Sequence, residues 1–266
     1  MDVLTQARGA GYETVQYNMA CSGLPSLPPV IAPDVVSAIR SATRDTGVGI
    51  AALSATYNMI HPDASVRATG HESLSVLAET AHVLGIPMLT LCSGSRNAAD
   101  QWAPHRDNAN AESWRDLLDS LARAIAVAEQ HDVLLGVEPE PSNVVSSSAV
   151  ARRLLDESGS ARVGIIIDAA NLIGDALRYP ALERHAVIAR AVDLLADRVI
   201  LVHAKDRRID GTIAAPGHGD VDFVEYFSAL ANAGVRVPVI THGLTAADAP
   251  QAAVFLRGCM MPPGRS

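Results

Sequence analysis

The sequence predicts an α/β protein, a (β/α)8 TIM-like barrel in which the first strand is not readable. Three observations predict it. Short aliphatic runs of strand length alternate with helical periodicities along the whole chain. The runs are almost continuously apolar, the pattern of parallel strands buried on both faces. No linker or composition shift divides the 266 residues, so residues 1–266 read as one domain, a length that suits one barrel.

The elements follow in order. Asp2–Gly11 reads as a helix that precedes the first apolar run, Thr14–Met19. Pro33–Thr46 reads as a helix with proline near its start, and Gly49–Tyr57 as the next strand. Over 65–84, Leu74, Leu77, Ala78, Ala81 and Leu84 share one helical face, and Gly85 follows as a stop signal. Pro87–Cys92 is a strand. Over 112–130, Trp114, Leu117, Leu118, Leu121, Ile125 and Ala128 form the clearest helical stripe. Then come strand Val133–Glu138, helix 147–157, strand Val163–Asp168, helix 183–196, strand Val199–His203, helix 222–233, strand Val237–His242 and helix 247–257. Repeated strand–helix units imply an open doubly wound sheet or a closed barrel. Only seven strands are readable. Either the start is truncated, the barrel closes imperfectly, or another segment fills the gap. The polar loop from Ser93 to Ala111 is the longest non-helical excursion, and long loops in compact domains often cap a site.

Composition narrows the class. Hydrophobic residues make up 48% and charged residues 19%, a soluble globular balance. Aromatics are only 4%, so the core must be aliphatic. A net charge of -8 with no basic run disfavours nucleic acid as a partner. Cys21, Cys92 and Cys259 have no paired spacing, which argues against a disulfide framework and for a reducing compartment. The N-terminus lacks a basic and then apolar leader, and no uncharged stretch is long enough to span a bilayer. The expectation is a cytoplasmic protein without a membrane partner. Barrels with exposed helices often pair, so a homo-oligomer is compatible with the sequence.

Side chains at the C-terminal ends of parallel barrel strands face one shared bowl. Four consecutive late strands end an aliphatic run in a metal-competent group: Glu138, Asp168, His203 and His242. A single strand-end aspartate is more often a cap for the next loop. Four such endings in series are hard to reach by chance and point to one divalent metal ion. Mixed oxygen and nitrogen donors suit Mn, Mg, Co, Zn or Fe, and a site open to substrate favours Mn over a closed structural zinc. Such an ion acts as Lewis acid and template for neighbouring substrate oxygens and stabilises an enediolate.

The runs Gly-Val-Glu-Pro-Glu (136–140), Ile-Asp-Ala-Ala-Asn (167–171), Val-His-Ala-Lys-Asp (202–206) and Pro-Gly-His-Gly-Asp-Val-Asp-Phe (216–223) resemble the xylose-isomerase-like barrel superfamily. Within it they are most similar to the sugar phosphate isomerase/epimerase group, which includes tagatose and psicose 3-epimerases, hydroxypyruvate isomerase, inosose dehydratase and dehydroshikimate dehydratase. Endonuclease IV is a more distant relative. The resemblance runs from about Gly11 onward. It implies a small carbohydrate substrate and a metal held by Glu, Asp, His and a second Glu. Glu138, Asp168 and His203 match directly. The fourth position falls on His242, a departure from the pattern.

That departure bears on the reaction. In the epimerases two glutamates on opposite sides of the substrate exchange a proton, and here one is replaced. An imidazole can ligate a metal or act as acid or base near neutral pH, so Glu138 and His242 are the catalytic candidates. Isomerisation or epimerisation of a keto-sugar or related polyol leads. Single-base elimination, a lyase or dehydratase on a keto-sugar or cyclitol, follows closely, and a non-catalytic sugar-binding or partner subunit is the alternative outside enzymes. Secondary candidates for substrate contact are Asn171, where relatives often carry a histidine, Arg207 after the His203 strand, Glu140 two residues beyond Glu138, and Trp102 and His61 in the loops. Each has a blander reading as a cap, a solvated charge, a loop anchor or a turn residue. No glycine spacing matches a nucleotide site.

Overall fold

The computed structural model describes residues 2–260. Helix α1 (Asp2–Gly9) precedes β1 (Thr14–Tyr17), followed by α2 (Pro33–Thr46), β2 (Gly49–Ser54), α3 (Ala64–Leu84), β3 (Met88–Cys92), α4 (Ala111–His131), β4 (Leu134–Glu138), α5 (Ser148–Ser158) and β5 (Val163–Asp168). The second half holds α6 (Ala169–Ile173), α7 (Ala181–Leu195), β6 (Val199–Ala204), a hairpin of β7 (Asp206–Arg207) and β8 (Ile213–Ala214), then α8 (Phe223–Asn232), β9 (Val239–Thr241) and α9 (Ala249–Met260). Seven strands pair in parallel in the order β1, β2, β3, β4, β5, β6, β9. Among the described residues this is a nearly closed barrel flanked by nine helices, one strand short of eight. None of these helices is long and apolar enough to cross a membrane.

The elements form where the residues favour them. Pro33 opens α2, where its missing N–H is no loss, and Gly47 ends it at φ 70°. Asp63 caps α3 and Asn110 caps α4, each accepting a backbone N–H of the first turn. Along α4, Trp114, Leu117, Leu121, Ala124 and Ala128 recur at helical spacing and are buried. Three expected strands are clearly shorter than their apolar runs, β2 among them, which ends at Ser54 and not Tyr57. β1 stops at Tyr17 because the Asn18 side chain accepts from Ala20 N and starts a 3-10 turn. β9 spans only Val239–Thr241, which leaves His242 just past its end. Helix α6 and the β7–β8 hairpin are not visible in the sequence pattern, being too short to show a period.

Two apolar layers follow from the strand alternation. Leu135, Val137, Ile165, Ile167 and Val202 belong to the large cluster shared with the helices. Ala51, Ala52, Met88, Ile166, Leu201 and Ile240 form a separate cluster inside the barrel. The barrel is tight there: a Cβ on Gly164 would sit 2.7 Å from Ile200 Cγ2. Glu138, Asp168, His203 and His242 lie two residues beyond Gly136, Ile166, Leu201 and Ile240. They are therefore the next inward rung, above this apolar plug and at the strand ends.

β1 and β9 have no hydrogen-bonded pairing among the described residues. Side chains close this seam. Thr241 Oγ1 donates to Tyr12 Oη at 2.9 Å, and Tyr12 Oη donates to the Ala249 carbonyl at 3.1 Å. The Arg257 guanidinium donates to the Gly11 carbonyl.

Candidate metal centre and active site

The four strand-end groups meet. Glu138, Asp168, His203 and His242 each offer a ligand atom, and these atoms lie within 4.8 Å of one another. His203 Nδ1 is 3.0 Å from Glu138 Oε2, and His242 Nε2 is 3.2 Å from Asp168 Oδ2. The two imidazole rings are 4.6 Å apart between centroids. Atoms this close could share one ion or, without it, a proton.

The other contacts of these groups leave the facing atoms free for an ion. Glu138 Oε1 accepts from Asn171 Nδ2 at 2.9 Å, so Oε2 is the oxygen turned to the cluster. Asp168 Oδ1 accepts from Asn171 N at 3.1 Å, which caps α6, and Oδ2 faces His242. The cap reading of this aspartate and the ligand reading therefore coexist on its two oxygens. His203 is buried, and its Nε2 lies 2.9 Å from Gln16 Oε1. The Gln16 amide is itself oriented, because its Nε2 donates to Ser54 Oγ at 3.0 Å and Thr90 Oγ1 at 3.2 Å. His203 Nε2 is thus the donor, and Nδ1 presents its lone pair. Although close to Glu138, His203 Nδ1 is a buried atom with no aligned hydrogen-bond partner. An oriented, unpartnered buried imidazole nitrogen beside two carboxylates fits a divalent ion of the borderline or hard kind.

The charges of the cluster act on one another. Burial pushes the Glu138 carboxyl up, but the His203 ring and its contact pull harder and hold it below the usual carboxylate range. Burial likewise opposes ionisation of Asp168, but its hydrogen bond from His242 and the charge of Lys205 together override burial, so Asp168 is also held low. Burial alone would lower His203, yet Glu138 and Asp168 raise it above the ordinary imidazole value, so the carboxylates favour positive charge at Nδ1 and a bound ion would take the place of a proton there. Glu140 is different. Burial first, and then the charge of Glu138, push it up to about 7, with Lys205 pulling back. Burial also pushes the Cys92 thiol up to about 12, so it stays protonated.

Glu138, Glu140, Cys92, His203 and His242 line a cavity of about 550 Å3, and Asp168 is not exposed in its wall. Its charged groups come from β4, β6 and the end of β9 and include Glu140 and Lys205; the neutral Gln16, Thr56 and Thr90 also line it. Lys205 Nζ donates to Asn171 Oδ1 at 2.8 Å and lies 3.8 Å from Glu140 Oε1. Asn171 thus links Lys205 to Glu138. Trp102, from the long loop, forms part of the rim. Three expected contacts do not line this cavity: Asn171, which bonds to Glu138 and Lys205, and two others. Arg207 does not line this cavity; its guanidinium packs at Gly211 across the hairpin turn. His61 lies in a neighbouring cavity, with Nδ1 accepting from Asp63 N at 3.0 Å and Nε2 3.2 Å from the Ala98 carbonyl.

Two structural residues escape a sequence reading. Gln16 sits in the unremarkable run Thr-Val-Gln-Tyr. Asp206 looks like a loop charge but is buried, and its carboxylate accepts from the backbone N–H groups of Arg207, Gly217, Gly219 and Val221 at 2.8–3.2 Å. This explains Gly219, where a Cβ would come within 2.2 Å of Asp206 Oδ1. The only available signal was the glycine-rich spacing of 216–220, which needs a partner that the sequence does not name.

Residues 4–258 match the xylose isomerase-like TIM barrel family, and the chain belongs to that family. No curated protein matches it. Among solved structures, the chain is similar to the 3-keto-D-glucoside 4-epimerase YcjR from E. coli, at 17% identity and a TM-score of 0.74 over 96% of this chain and 93% of that one. A D-psicose 3-epimerase determined in the presence of D-fructose is 15% identical, with a TM-score of 0.76 over 97% and 93%. The IolI protein with a bound zinc atom is 16% identical, with a TM-score of 0.72 over 97% and 91%. At these identities the likeness is one of fold.

Proposed function

We propose that this family member is a divalent-metal-dependent isomerase or epimerase of a small keto-sugar or related polyol. The observation that carries the reading is the inward cluster Glu138, Asp168, His203 and His242, with the His203 Nδ1 lone pair unpartnered. Those four residues would hold the ion, and Mn suits the mixed donors and the open cavity best. When bound, the ion supplies Lewis-acid polarisation of neighbouring substrate oxygens. Likeness in fold to two sugar epimerases and to a zinc-binding protein supports both the substrate class and the metal.

The chain's own groups carry the protons. Glu138, ionised and pinned through Oε1 by Asn171, takes the proton from the carbon beside the substrate carbonyl. That electron pair moves into the adjacent carbon–carbon bond as the carbonyl becomes an enediolate oxygen. His242, at the strand end with its side chain 37% exposed, is placed to return a proton to carbon or to move one between the two oxygens. Lys205, Glu140, Thr56 and Thr90 offer hydrogen bonds to the remaining hydroxyls. A second reading, elimination of water by a lyase, draws on the histidine at the fourth position, since elimination needs only one carboxylate base.

The test uses the purified full chain, stripped of metal and reloaded with Mn, against ketoses, keto-sugars and cyclitols in D2O. Isomerase or epimerase activity returns a product of unchanged composition that has gained deuterium on carbon. Lyase activity returns a product lighter by one water. Glu138→Gln should lower kcat by about 10²–10⁴-fold while the fold persists. Retained turnover in that variant, or no metal-dependent turnover and no metal-induced thermal shift in the parent, would overturn the reading.

A further inference from the structure

A second cavity, about 620 Å3, adjoins the first. The two share Thr56 and Trp102 in their walls, so they meet at the rim of the strand-end bowl. Their chemistry differs. The first is ionic, with Glu138, Glu140, His203, Lys205 and His242. The second is lined among the described residues by no lysine or arginine; it mixes small or apolar groups such as Leu27, Val66 and Ala99 with polar ones such as Asn58, His61 and Asp100. Joined, the two exceed what one monosaccharide ring can fill, and a neutral extension is what the second half accommodates.

Trp102 stands at the junction. It is 48% exposed, whereas Trp114 is 7% exposed, and its indole N–H has no hydrogen-bond partner among the described residues. A large ring left open to water is usually mobile, but here the backbone on both sides is fixed. The Gln101 carbonyl accepts from Asn143 Nδ2 at 2.8 Å, and the Ala103 carbonyl accepts from Ser95 Oγ at 2.7 Å; both donor residues are buried. Trp102 N donates to Asp100 Oδ1 at 2.8 Å. The indole is therefore presented by a pre-organised loop, which lowers the entropy lost when a ligand stacks on it.

We propose that the substrate is a glycoside: its keto-sugar ring sits in the strand-end cavity, and its neutral, ring-containing aglycone lies along Trp102 in the second cavity. This rests on the function proposed above. No lysine or arginine lines the second cavity, its one imidazole, His61, already engages Asp63 N and the Ala98 carbonyl through its two nitrogens, and Asp100 adds a carboxylate, so a phosphate or carboxylate substituent is disfavoured there.

The test compares 3-keto-D-glucose, its phenyl and glucosyl β-glycosides and its 6-phosphate on the Mn-loaded full chain, by calorimetry and by turnover. Both glycosides should bind about ten-fold tighter than the free keto-sugar, and the phosphate should gain nothing. Trp102→Ala should remove that gain. Ala99→Trp, which fills only the second cavity, should remove it too while leaving the free keto-sugar constants within about two-fold. A gain for only one glycoside identifies the aglycone as aromatic or sugar. Equal affinity for free sugar and glycosides, with the free sugar turned over, overturns this inference and leaves the proposed function standing. If nothing is turned over, the proposed function falls, and the calorimetric ranking still decides whether glycosides are preferred.

Discussion

Gln16 decides what His203 can do. A neutral imidazole has one donor and one acceptor nitrogen, and the partner of one nitrogen sets the role of the other. Because Ser54 and Thr90 hold the amide N of Gln16, its carbonyl oxygen faces His203 Nε2 and leaves Nδ1 as the acceptor. Gln16→Leu keeps much of the volume but removes that instruction. Divalent-ion affinity measured by calorimetry should fall about 10–100-fold with the circular dichroism unchanged; unchanged affinity would show that the ring orients itself. Glu138, Asp168, His203 and His242 were legible because each ends an aliphatic strand run in phase with the inward positions below it. Gln16 was not, because nothing in a polar mid-strand residue announces a partner 187 positions away.

The segment between β6 and α8 shows the same logic in one element. Its hairpin and glycine-rich turn carry few apolar residues of their own, and Asp206 replaces a core for them by accepting four backbone N–H groups. Asp206→Ala leaves those donors without their acceptor, so chemical unfolding should show a loss of about 3 kcal/mol or more. Helix α3 makes a pH-dependent contribution. His71 on this helix lies 3.0 Å from the Tyr57 hydroxyl, and burial, then the charges of Arg123 and Arg67, lower its pKa below the ordinary value. The unfolded chain therefore takes up the proton first as pH falls. The stability gained from a neutral His71 is complete above about pH 6.5 and is lost as pH drops through the lower, folded value. His71→Gln should flatten the fall of melting temperature between pH 7.5 and 5 relative to the parent; parallel curves would contradict this. The boundaries of α2 and β5 were readable to the residue. The short α6 and the hairpin were not, because one turn or two residues per strand cannot display a period.

The barrel as a unit depends on a seam that no backbone ladder closes. Seven strands leave β1 and β9 adjacent but unpaired, and Tyr12 bridges them through Thr241 and Ala249. The site spans this seam, since Gln16 belongs to β1 while His203 and His242 flank β9. Tyr12→Phe should therefore cost about 1–2 kcal/mol and lower the melting temperature by roughly 2–8 °C. It should also weaken divalent-ion binding, although Tyr12 touches no candidate ligand. A melting temperature that does not move would show that packing alone holds the seam.

The strand and helix order, the parallel character of the sheet and the four strand-end groups were set by the sequence alone, because burial on both faces and the two-residue alternation are properties of local pattern. The tertiary structure alone decided which loop groups line the strand-end cavity. Trp102 reaches the rim, while His61 falls in the adjoining cavity and Arg207 turns to its own hairpin. It also decided that His203 Nδ1 faces Glu138 without an aligned hydrogen bond, that Asp206 is structural, and that a strand fewer still gives a nearly closed barrel. Each of these depends on contacts between distant segments, whose direction is fixed only when the barrel brings them within a few ångströms.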